Sequence, residues 1–144
     1  MNSTGIRNDR GSAAVEIAAI TPVLVALIML VIFGGRVALT RQAVQTAATD
    51  AARAASIERT AATAKSAAIR AAQVSLNNQN LTCASSNVVV DVTQFARPVG
   101  TPASVVVRVV CAIATADLGL PLPGTVQSQA TMTSPLDTYR ERRR

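Results

Sequence analysis

The one side chain placed where chemistry is hard to avoid is Glu16. It is the only charge in residues 11–35, "GSAAVEIAAITPVLVALIMLVIFGG". A carboxylate at mid-membrane costs on the order of 3 kcal/mol, less near the interface, and such residues usually have a partner. No basic side chain follows Glu16 until Arg36. A capping box does not explain the acid, because with Ser12 as cap the third residue on is Val15. A helix-start carboxylate on the macrodipole remains one reading. Scission between Gly11 and Ser12 offers another. It would leave an α-amine on Ser12, four residues before Glu16 and roughly 6 Å away along a helix axis. Within one chain the two groups are stacked rather than well paired. Between subunits displaced along a common axis, Glu16 of one chain meets the amine of the next.

The other reactive pair is Cys83 and Cys111. Two cysteines are too few for a zinc site and enough for one disulfide, which favours an oxidising compartment. A bridge is expected here, the alternative being two free buried thiols. The chain has no His and no Trp, and aromatics make up 2% of it. It therefore lacks the commonest general base and metal ligand, and neither catalysis, a cofactor nor a metal is expected. The net charge of +6 is spread along the chain except for Arg140, Arg142, Arg143 and Arg144. With no aromatics interleaved for base stacking, nucleic acid is not expected as a partner.

Of the elements that must position these groups, the first is residues 17–35, free of charge and interrupted only by Thr21 and Pro22. As a helix it spans roughly 28 Å, close to a hydrocarbon core. It is longer than the apolar part of a signal peptide, and no A-x-A site follows it. A retained transmembrane helix is expected, kinked or locally thinned near Pro22, whose missing amide leaves the Ala18 carbonyl without its donor. Basic residues flank both ends, so charge does not orient it. A disulfide would place the C-terminal part outside.

Residues 36–76 hold neither Gly nor Pro and are dense in Ala, so the helix is expected to continue out of the membrane. Ala48, Ala55, Ala62, Ile69 and Leu76 recur every seven residues, a small-residue stripe suited to a partner helix or to the chain's own sheet. "NNQN" (77–80) should end it. Val88, Val90 and Val92 alternate with Val89, Asp91 and Thr93, as Val105, Val107, Val109 and Cys111 do with Val106, Arg108 and Val110. Two strands joined through "ARPVGTP" follow, with "VQSQATMT" (126–133) a weaker third. Antiparallel pairing would put Asp91 and Arg108 on one solvent face. The class is α+β.

The pattern "RGSAAVEIAAITPVLVALIMLVIFGGR" resembles the TadE-like family of tight-adherence (Tad/Flp) pilus proteins. Gly11 stands at the cleavage point of a class III signal, Glu16 at position five of the product, Pro22 six residues on, and Gly35–Arg36 after the helix. "LGLPLPG" followed by "QSQATM" is similar to the family's ending. Major Flp pilins carry an aromatic after the glutamate, where this chain has Ile17, which favours a minor pilin-like protein. The resemblance implies a pilin-like fold: a leader (1–11), a transmembrane helix (12–35), an Ala-rich helix (36–77), a small antiparallel sheet (78–136) and a basic tail (137–144). It implies cleavage after Gly11 by a membrane prepilin peptidase, with Glu16 as an assembly residue. Other pilins and the assembly platform are the implied partners, in a cytoplasmic-membrane protein whose N-terminus is inside and whose C-terminal region is extracytoplasmic. The competing readings are an uncleaved, signal-anchored envelope protein and, on charge alone, a DNA-binding pilin-like protein.

Overall fold

The computed structural model describes residues 10–119 and 122–139, with side chains from Val15 onward. Helix α1 (Arg10–Ser56) runs through Pro22 without interruption. It carries the apolar segment outward, its side chains from Val15 to Ile32 exposed, and then continues into the folded domain. Beside the proline, the Thr21 hydroxyl donates to the Ile17 carbonyl at 2.6 Å. The Ala18 carbonyl, one residue further on, is therefore not the one it satisfies.

The single long helix expected over residues 36–76 is in fact two. α1 ends at Ser56, and α2 (Ala61–Asn78) folds back beside it. The break needs neither Gly nor Pro. Thr60 adopts an extended conformation (φ −124°, ψ 151°), and its hydroxyl accepts the Thr63 amide, so that α2 starts at a side-chain cap. The hairpin is held by the Ser75 hydroxyl donating to Asp50 at 2.7 Å and by Gln79 Nε2 donating to the Ala43 carbonyl at 3.2 Å. Ala47, Ala48, Ala51, Ala55, Ala64, Ala68 and Ala72 are fully buried. On α1 these include Ala48 and Ala55 of the heptad stripe. On α2 the break shifts the phase, leaving Ala62 and Ile69 exposed. The buried members of the stripe, Ala48, Ala55 and Leu76, thus pack within the chain, against its own hairpin and sheet.

"NNQN" ends α2 as expected. Asn80 takes the left-handed conformation (φ 53°), the Asn80 amide donates to Asn77 and the Leu81 amide to Leu76. This is the paired-bond helix stop in which Asn replaces the usual Gly.

Three antiparallel strands follow in the order β1 (Ser85–Asp91), β2 (Ala103–Ala114), β3 (Thr125–Leu136). Val105, Val107, Val109, Cys111 and Ile113 of β2 turn one face inward and are buried. α1 packs across that face, over β2 and β3. The strand with the weakest alternation, β3, is as long as β2, paired with it from Ala103↔Leu136 to Ala114↔Thr125. A short 3-10 turn, Thr93–Ala96, plugs the end of the core with Phe95.

Register pairs Val89 with Arg108, which puts Asp91 diagonally across on the same face. The two share that face without pairing: Asp91 accepts the Thr93 amide at 3.0 Å, and Arg108 donates to the Thr131 hydroxyl at 3.3 Å. The Thr93 amide, then its hydroxyl, holds the Asp91 carboxyl below its ordinary value.

Among the described residues one buried side-chain atom is orphaned: Ser128 Oγ, opposite Cys111, has no hydrogen-bond partner there. A buried hydroxyl without a partner costs about 1–3 kcal/mol. Ser128→Ala is therefore expected to stabilise the fold by about 1 kcal/mol, read as a raised denaturant midpoint at unchanged slope.

Candidate functional site

The residues singled out from the sequence fall at two places, separated by the length of the apolar helix. Gly11 and Ser12 lie in the first turn of α1, where the backbone is helical and the side chains are outside the described residues, as are the leader residues 1–9. Glu16 follows on the same helix with its side chain exposed. Among the described residues none forms a hydrogen bond or ion pair with its carboxylate. Because α1 is unbroken, Arg36 stands roughly 30 Å up the axis from Glu16. That basic group cannot neutralise the acid within one chain. A helical rise of about 1.5 Å per residue does put the Ser12 backbone nitrogen one turn below Glu16, stacked rather than facing it.

Between them runs one helical segment of high hydropathy whose most apolar stretch is not buried, the only such segment among the described residues. An apolar helix that the rest of the protein leaves uncovered has the length and composition of a single-pass membrane anchor. Pro22 sits within it, one turn and a half above Glu16.

Cys83 and Cys111 are at the other place, bonded to each other with their Cα atoms 5.4 Å apart. The bridge ties the connection after α2 to the central strand, where Cys111 is fully buried. It belongs to the scaffold and does not approach Glu16. Among the described residues no cluster of His, Cys, Asp and Glu could hold a metal ion.

A seam at the foot of the folded domain was not foreseen. Arg36, the first charge after the apolar run, donates from its guanidinium to the Asp117 carbonyl in the β2–β3 connection at 2.7 Å. Gly119, at φ +91°, bends the same connection. Phe33 and Val37 pack on the core beside Arg36. An arginine marking a membrane boundary reads in sequence as a headgroup residue, and nothing local signals a bond to a carbonyl 81 positions away.

Residues 11–53 match the model of the TadE-like protein family. The matched segment begins at Gly11, contains Glu16, Pro22 and Arg36, and ends near the top of α1. It covers less than a third of the chain and stops well before "LGLPLPG". No match was found among curated proteins or solved structures.

Proposed function

Taking residues 11–53 as a TadE-like segment, we propose that the protein is a minor, pilin-like component that supports assembly of a Tad/Flp-type pilus. A membrane prepilin peptidase cuts after Gly11 and frees the Ser12 amine. The apolar part of α1 holds the subunit in the cytoplasmic membrane, N-terminus inside and disulfide-bonded domain outside, until it docks with other pilins or the assembly platform. Glu16 sets the register of docking by meeting a neighbour's amine. The protein catalyses nothing itself and needs no cofactor. The observation that carries this reading is the family match over a segment in which the sole acid of an exposed apolar run has no partner among the described residues.

The test is the mass and N-terminal sequence of native protein from a membrane fraction, without reducing agent. A chain that begins at Ser12, lighter than its reduced form by two hydrogens, is the expected result. A chain still carrying its leader in a host with active peptidase would leave an uncleaved envelope anchor as the better reading.

A further inference from the structure

The geometry points to a second lipid contact: the foot of the folded domain, at the β2–β3 connection, is seated in the interfacial layer of the bilayer that α1 crosses. This rests on the reading of α1 as a membrane span.

The argument is one of height. If residues 17–35 fill the hydrocarbon, Arg36 marks its boundary, because roughly 28 Å of helix leaves no apolar length to spare. The domain does not begin above that boundary. Phe33, about 4.5 Å below Arg36 on the axis, already packs against the core, as does Val37. The Asp117 carbonyl is bonded to the Arg36 guanidinium at 2.7 Å, which fixes the β2–β3 connection at the same level. Thr115, two residues before Asp117, donates its hydroxyl to the Leu122 carbonyl and to the Gly124 carbonyl, holding the returning chain there too.

What this end exposes suits the lipid boundary. Leu122 is 59% exposed and Leu39 is 67% exposed. Beside them an open groove of about 690 Å³ is lined by both kinds of group, Leu39, Leu81 and Leu118 with Arg36, Asn80 and Asp117. Exposed leucines next to a boundary arginine and amide groups match the carbonyl and glycerol region of a phospholipid, where apolar and polar partners coexist. Arg36, which lines this groove, is also the first charge after the exposed apolar part of α1. The opposite end of the sheet, where Ala103 pairs with Leu136, stands a strand length away, about 40 Å at 3.4 Å per residue. Val99, next to that end, is also exposed and makes the natural control.

The test uses the full chain in vesicles of phosphatidylethanolamine and phosphatidylglycerol, with an environment-sensitive fluorophore on Leu122→Cys, Leu39→Cys or Val99→Cys. Single labelling and an intact Cys83–Cys111 bridge are verified by non-reducing mass. Expected are a blue shift and loss of most emission for Leu122→Cys and Leu39→Cys with nitroxide carried at headgroup depth, and no change for Val99→Cys. Either of the first two labels behaving like Val99→Cys would overturn the proposal. So would a blue shift insensitive to lipid nitroxide but dependent on protein-to-lipid ratio, which is the signature of a second copy. Val25→Cys, quenched only by nitroxide deep in the acyl chains, checks the span itself. Its failure would be a failure of the anchor reading rather than of this contact.

Discussion

Replacing Cys83 and Cys111 together by alanine is expected to remove about 3.5 kcal/mol from the stability of the folded domain. The bridge closes a loop of 28 residues, and the loop-entropy relation gives that magnitude at room temperature. It matters here because small domains have little to spare, about 5–15 kcal/mol in total, and this core is assembled mostly from Ala and Val, with few larger side chains. Alanine is the informative substitution. A serine at position 111 would face the Ser128 hydroxyl across the β2–β3 pair and confound the loss of the cross-link with a new cross-strand polar contact. Denaturant unfolding in detergent, with and without reductant, checks the figure. The double variant should match the reduced parent closely. A loss below about 1 kcal/mol would mean that the open-chain form already holds the α2–β1 connection against β2.

Glu16→Gln should separate assembly from insertion. The amide keeps the shape and removes the charge, so the protein should enter the membrane at least as well as the parent. Leaving a neighbour's amine buried without its partner costs about 3–5 kcal/mol, more than a hundredfold in a subunit contact. Surface filaments should therefore fall sharply while membrane abundance holds. Glu16→Asp, a methylene shorter, should recover part of the loss. Normal piliation in Glu16→Gln at parental abundance would reduce the carboxylate to a helix-start charge.

The sequence made plain those features whose cause is local. A charge-free run of hydrocarbon length announces itself by composition, and β1 and β2 by strict alternation of Val with other residues. Asn80 ends α2 because few side chains tolerate its backbone angle. The hairpin at residues 57–60 was missed because its cause is not a breaker. The Ala-dense stretch favours helix throughout, and the chain turns because two alanine faces bury more surface against each other and the sheet than one extended rod could. Thr60 was the available sign, a capping residue just ahead of an Ala run, but it looks the same in a continuous helix. β3 was undervalued for a related reason. Its inward positions are Ser128, Ala130 and Met132, which signal little by themselves and acquire meaning only beside β2 and α1. Glu16 was legible as an anomaly, and the unbroken helix sharpened it by removing Arg36 as a partner.

The continuity of α1 from Arg10 to Ser56 also governs how the molecule bears load. A rod of about 70 Å passes from the membrane into the domain with no flexible joint between them. Tension applied near Glu16 would reach the sheet through one ladder of backbone hydrogen bonds. It would arrive along the axis of α1, so the alanine seam with α2 and the valine face of the sheet would be loaded in shear, many contacts resisting at once, rather than peeled apart one by one. The disulfide lies at the end of the sheet nearest the membrane, where such a pull first enters the domain. A subunit pulled from that end would thus move as a single stiff body.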